Sequence, residues 1–551
     1  MSHNHTQRQV VGTLTGGSIR QNLTASLQSN HGLEIGSYLV IPTDDQIFYA
    51  LVHDLAYRPA DPRYASRPIQ KRIPGALAAR VNSQAVQVIA ELMPGQAIAR
   101  TGKNAGQVLP FSTLPALHSD VCLPQDSDIA GLFGDPNTPG FFVVGYTREQ
   151  GHPIAIDMTR LTRRGVAISG ATGTGKSQLI RILLSGIIRQ DLASALVLDL
   201  HNDLAYDDVA DTGKRLVGLK SLFSDRVFTV GLGRNATVRG IKPDHCLELS
   251  LSDISPSDVM ILTDALNLTN ATGTVVSALV HSFGKRWLVE FLNMARSADN
   301  DSETVREERN TGSPRSRSVA SWAKQAGVSR QSAEALWSKL SRLGRLGFVS
   351  SSPNTTTSIG VILNALRSGK TVILSFGQHK DELDYLLTSN LLARHISELW
   401  TQAADSYRTT QAQAPRPLII VVEEAHRFLD KANSGQTVFG TLAREMRKSS
   451  VVLWASDQRM STLDDEITSQ FGTRISGWLG DEDDIKAVTA GLPGRDILRR
   501  MIANLRSSGQ CVILGYATPS PIAIETRRVD DQFVRDMTLA ATPDTKAHET
   551  E

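Results

Sequence analysis

Cysteine is scarce in this chain. Its 551 residues include three, Cys122, Cys246 and Cys511, and no two stand at the CxxC or Cys/His spacing that zinc or a redox pair needs. A structural zinc site and a disulfide framework are excluded, and a reducing, cytoplasmic setting is expected. Long apolar runs are missing too. The best, PLIIVV at 417–422, is strand length and far short of the ~20 residues of a membrane helix. The first residues, MSHNHTQRQ, lack the apolar stretch of a signal peptide. No membrane association is expected. Charge of one sign is not in excess: the net charge is +2, which neither announces nor excludes nucleic acid, because binding depends on where positive charge clusters.

What is present fits a large soluble protein. The length suggests roughly three to four domains, and 41% hydrophobic with 21% charged residues is ordinary for a globular chain. Residues 1–118 hold short apolar stretches, VVGTLTGG, SYLVIPT, QIFYALVHDL and QAVQVIAELM, broken by Gly, Pro, Asn and Asp. Their spacing predicts a small β-barrel. From Arg164 the pattern changes to buried strands alternating with helices: GVAIS, ALVLDL, TVILSF, LIIVVE and VVLWAS. That alternation predicts a parallel α/β domain, split into 119–250 and 351–510 by a helical insertion over 251–350. Residues 511–551 are expected to form a strand pair and a frayed tail.

GATGTGKSQLI at 170–180 matches G-x-x-x-x-G-K-[ST] between a strand and a helix, the context the motif requires. Gly170, Thr172, Gly173, Thr174 and Gly175 would wrap the phosphates with backbone N–H groups, aided by the helix N-terminus. Lys176 would reach the β- and γ-phosphates, Ser177 would ligate Mg²⁺, and Gln178 opens the helix behind them. LIIVVEEAHRFL at 418–429 ends a buried strand with Glu423 and Glu424, at the sheet edge where ligands bind. Glu423 is expected to hold Mg²⁺ through water, and Glu424 to orient and deprotonate the attacking water. VVLWASDQRM offers Gln458 as a sensor of the γ-phosphate or of that water. No NKxD-type guanine reader is present, since HKDE at 379–382 is a poor match, so ATP is favoured over GTP.

Together these segments resemble the HerA family of hexameric DNA translocases, within the HerA and FtsK group of RecA-like P-loop motors. LVLDLHNDLAY places Asp199, His201 and Asp203 on the family's D-P-H-G-E-Y pattern, with Asp for Glu at 203. Ala443, Arg444, Glu445, Arg447 and Lys448 match its A-R-E-G-R-K, with Met446 for Gly, and Ser456 to Arg459 match its S-Q-R-P loosely. The resemblance implies a HerA–ATP synthase type barrel, a homo-hexamer, and ATP sites at subunit boundaries. Arg447, then Arg444, would then act as a finger on a neighbour's ATP. Asp199 and Arg164 are further candidate nucleotide contacts.

A translocase grips phosphates without reading bases. Arg234, Arg239, Lys242, Arg315 and Arg317 are the basic residues on offer, each read first as solvated surface charge. SWAKQAGVSRQSAEALWSKL at 321–340 has helix-turn-helix spacing about Gly327, but packing within the insertion is the favoured reading. The resemblance implies an ATP-driven double-stranded DNA translocase or helicase. It would work with a NurA-type nuclease, docked on the barrel, in DNA end resection and repair. A HerA-type ring that activates a sirtuin-like or nuclease effector in antiphage defence, and a nucleotide-gated scaffold, are the alternatives.

Overall fold

The computed structural model describes residues 8–28, 32–59, 86–209, 213, 215–295, 318–350, 356–411, 413–432, 434–435, 437–505 and 508–538. The N-terminal strands close a six-stranded antiparallel barrel. Val10–Gly17 pairs with Leu23–Leu27 and with Asp120–Cys122, Tyr38–Pro42 with Gln46–Pro59, and Val86–Ala99 with both Gln46–Pro59 and Leu23–Leu27. Alternation drives it: in Leu23–Leu27 every second side chain is buried, so one face fills the barrel with Leu23, Ala25 and Leu27 among others. The barrel is anchored to the rest of the chain by Tyr38, whose hydroxyl donates to Pro521 O at 2.7 Å, and by buried Tyr49, whose hydroxyl donates to Asp128 O at 3.0 Å.

The second layer system is one 12-stranded sheet. From one edge its order is His245–Leu247, Val227–Leu232, Thr371–Ser375, Ser194–Asp199, Leu418–Glu423, Val451–Asp457, Val166–Ser169 and Thr473–Ser476, all parallel. Gln510–Gly515, Ile522–Thr526, Phe141–Thr147 and Pro153–Asp157 then extend it antiparallel. The C-terminal strand pair thus continues the nucleotide-domain sheet. The central strands are buried throughout, which explains their unbroken apolar runs. The helix Lys176–Arg189 is buried from Leu179 to Ile188.

Residues 251–350 contribute short helices, including Thr272–Phe283, Val319–Ala326 and Arg330–Leu340. The last two turn at Gly327 (φ +71°) and bury Trp322, Ala323, Ala333, Leu336 and Leu340 in the core. Packing within the insertion therefore accounts for the helix-turn-helix spacing. Arg315 and Arg317 lie outside the described residues. Arg234 is paired with Glu248 and Arg239 with Asp208, while Lys242 is exposed. Among the described residues no helix is long and apolar enough to cross a membrane.

Candidate nucleotide site

The loop Gly170–Gly175 joins the strand Val166–Ser169 to the helix Lys176–Arg189. Its turn needs glycine at two points. Gly170 (φ +151°) has Thr174 Oγ1 where a Cβ would lie, 2.5 Å away, and Gly175 (φ +96°) is the left-handed cap of the helix. Neighbouring strands brace the loop. Ala171 N donates to Trp478 O at 3.0 Å, Gly509 N to Thr174 O at 3.0 Å, and Gln178 Nε2 to Arg527 O at 3.2 Å. The last two contacts come from the C-terminal strand pair, a support the motif itself does not signal. Lys176 Nζ donates to Gly170 O at 2.7 Å and Ala171 O at 3.3 Å. Burial lowers its pKa, opposed by the carboxylates of Glu424, Asp457 and Glu423. It is therefore a cation held beside acids at the mouth of the loop.

Glu423 and Glu424 follow one another and face different partners. Glu424 takes a left-handed conformation (φ +49°) at the strand's end, uncommon for a residue with a Cβ and a mark of functional sites. Its carboxylate meets Gln458 Nε2 at 3.2 Å, His201 Nε2 at 3.6 Å and His426 Nδ1 at 3.6 Å. Thr172 Oγ1 donates to Gln458 Oε1 at 2.7 Å, so Glu424 is linked to the phosphate loop. His201, then Gln458 and His426, hold the Glu424 carboxyl down to about 2. His426 is itself fixed by buried Asp457, which accepts its backbone N–H at 2.7 Å and lies 3.0 Å from its Nδ1. That contact raises the His426 pKa, as Glu424 raises that of His201. Sequence reasoning placed His201 on the family pattern without giving it a role and passed over His426, although that residue follows the named glutamates by two positions.

Glu423 is buried and turns toward the neighbouring strand. Its Oε2 accepts Leu200 N at 3.0 Å and His201 N at 3.4 Å. Oxygens of Asp199, Asp203 and Glu423 all lie within 4.8 Å of one another. Burial, then Asp199 and Asp203, pushes the Glu423 pKa well up, and burial followed by Asp203 pushes Asp199 to about 6. Asp203 Oδ1 is buried without a hydrogen-bond partner. Crowded carboxylates with an orphaned oxygen fit a hard divalent cation. Asp199 stands three strands from the P-loop strand, about 14 Å at the usual inter-strand spacing. It accepts Asp203 N at 3.0 Å and Ser375 Oγ at 3.2 Å, and so braces the acid cluster rather than the P-loop itself.

The arginines gather elsewhere. Arg164, Arg444 and Arg447 line one cavity with Gly165, Val451, Leu453 and Phe471. These residues mark the starts of the strands whose ends carry the P-loop and Gln458. The cavity is thus at the opposite sheet edge, a strand length of roughly 13 Å from the chain's own phosphate loop. Arg164 lies over the Tyr516 ring at 4.4 Å, so it does not face that loop. Arg444 Nε is 3.5 Å from Glu466, and Arg447 is exposed on a short 3₁₀ turn, Met446–Ser449.

A parallel sheet with a P-loop and paired strand-end acids defines the class: a P-loop nucleotide-binding protein with a RecA-like core. A family model described as "Helicase HerA, central domain" matches residues 142–396. The chain is 22% identical over 404 residues to the DNA double-strand break repair helicase HerA of Pyrococcus furiosus, covering 67% of this chain and 66% of that one. It is 28% identical over 170 residues to the protein of that name from Saccharolobus solfataricus, covering 30% and 32%. The chain is thus similar to HerA helicases, most of all over its central part, and the match spans just under two thirds of the first relative and about a third of the second. Among solved structures it is similar to the bacterial conjugative coupling protein TrwB (TM-score 0.43, 13% identity, 74% of this chain and 92% of that one). VirB4 of Thermoanaerobacter pseudethanolicus gives a TM-score of 0.42 at 13% identity, over 71% and 98%.

Proposed function

We propose that this protein is an ATP-driven translocase or helicase on double-stranded DNA, built as a homo-hexameric ring. The observation that carries the reading is the division of one reaction between two sheet edges. Phosphate loop, Glu424 and Gln458 occupy one edge, and Arg164, Arg444 and Arg447 the other. A ring stacks one edge of a subunit against the opposite edge of the next, which brings an arginine to a neighbour's phosphates. Arg447, exposed on its short turn, is the first choice for this finger.

In the proposed reaction the loop amides and Lys176 hold the β- and γ-phosphates. Ser177 and Glu423 would hold Mg²⁺, which supplies neutralisation of phosphate charge. Glu424 accepts a hydrogen bond from the attacking water and takes its proton as the water oxygen bonds to the γ-phosphorus and the bond from that phosphorus to the β–γ bridging oxygen breaks, so that ADP and phosphate leave. At about 2, its carboxyl is a weak proton acceptor, so orientation of the water is its larger contribution. Gln458 fixes Glu424 from the loop side. The relatives named as double-strand break repair helicases support a place in DNA end processing. The barrel would dock the partner there, a nuclease of NurA type.

ATP turnover measured with and without duplex DNA tests the reading. The expected result is hydrolysis stimulated by DNA and abolished in Lys176→Ala with loss of nucleotide binding. Turnover indifferent to duplex DNA would leave a nucleotide-gated scaffold instead. Copurification from the native host checks the nuclease partner.

A further inference from the structure

We propose that Thr172 is a positioning residue that couples the phosphate loop to the catalytic base through the Gln458 amide. The inference rests on the ATPase reading above and deepens it. Thr172 sits exposed at the tip of the loop, between the turns at Gly170 and Gly175. Its hydroxyl donates to Gln458 Oε1 at 2.7 Å, and Gln458 Nε2 donates to Glu424 Oε1 at 3.2 Å. The amide has two ends and only one orientation satisfies both neighbours. With the amide reversed, its oxygen would face the Glu424 carboxylate, acceptor against acceptor. The acceptor-only Glu424 carboxylate thus selects the orientation in which Gln458 presents N–H, and the Thr172 hydroxyl, donating to the oxygen end, holds the amide in that place.

The base has several holders, and only one of them reaches the loop. His201 and His426 approach the Glu424 carboxylate at 3.6 Å each. His426 is anchored on Asp457 and His201 sits on the loop after Ser194–Asp199. Among the described residues bonded to Glu424, Gln458 is the one that also bonds the P-loop. In the ATPase reading a phosphoryl group on the loop would act on the Thr172 hydroxyl through the loop, and a shift of that hydroxyl would be passed on to Gln458 and Glu424. Thr172 acts on the base through Gln458 and does not itself touch the reacting atoms.

The test is a comparison of full-length Thr172→Val, which keeps the shape and removes the donor, with Thr172→Ser, which keeps the donor. Steady-state ATP hydrolysis and ATPγS binding are measured on both. The expected result is a kcat about tenfold lower in Thr172→Val, the effect of one lost hydrogen bond, with ATPγS affinity kept within about threefold. Thr172→Ser should restore kcat. Thr172→Val combined with Gln458→Ala should be no slower than Gln458→Ala alone, as expected of two residues in one relay. Unchanged kcat in Thr172→Val, a loss confined to affinity, a serine as slow as valine, or additive losses would each overturn the relay. A wild-type chain that does not hydrolyse ATP overturns the ATPase reading and the relay together, and is recognised because the unmodified protein is itself idle.

Discussion

The two edges of the central sheet carry opposite chemistry. At one edge the strand ends present a glycine-rich loop, Lys176 and a set of carboxylates. At the other, the starts of the same strands present three arginines around a cavity. Each edge is incomplete as a catalyst. The first has the P-loop and the acid proposed to orient water but, among the described residues, no arginine in the groups bonded to Glu424 or Gln458. The second has cations with no phosphate cradle. The difference teaches that a strand of four residues, Val166–Ser169, is enough to keep the halves apart within one chain, and in the proposed ring a second copy would bring them together.

The comparison is broken most severely by Arg447→Ala. If that residue serves a neighbour, hydrolysis by the ring should fall about 10³-fold while ATP binding stays nearly intact. Mixing Arg447→Ala with Glu424→Gln subunits should recover part of the turnover, because some mixed boundaries pair an intact base with an intact arginine. Full activity of Arg447→Ala alone would place the finger elsewhere. Glu424→Gln should bind ATP normally and hydrolyse it about 10²- to 10³-fold more slowly, measured as single-turnover phosphate release. A smaller effect is expected from His201→Gln. His201 is the largest influence holding the Glu424 carboxyl at about 2. Its loss lets that pKa rise toward the ordinary 4.5, so the acid limb of the rate profile moves to higher pH. An unmoved limb would show that His201 does not set the base. Arg164→Ala should cost the least. It removes the Tyr516 contact, worth about 1 kcal/mol, and an unfolding free energy lowered by that amount in denaturant titration, with unchanged ATP affinity, is the expected outcome.

Much of the fold was legible because the signals are local. Leu418–Glu423 and Val451–Asp457 are apolar runs bounded by polar residues, and they form the buried strands that such runs predict. Thr473–Ser476 was not legible. It reads TRIS, yet all four residues are buried, since Arg474 donates to the carbonyls of Val488, Ala490 and Thr468. A buried arginine satisfied by backbone looks polar in sequence. The C-terminal strands were found as a pair, but their pairing with Phe141–Thr147 in the large sheet and their grip on the P-loop through Gly509 and Arg527 depend on contacts across more than 300 residues.

The sequence by itself determined the phosphate loop. Glycines at fixed intervals, a lysine and a serine between a strand and a helix specify their geometry within about ten residues. It likewise determined that two glutamates end a buried strand. Only the tertiary structure decided which glutamate does what. A left-handed residue at Glu424 sends it toward Gln458, His201 and His426, while Glu423 turns to Asp199 and Asp203. It also decided that the arginines face away from their own P-loop. Direction is a property of how parallel strands are stacked, and adjacent strands come from distant parts of the chain, so no local pattern encodes it.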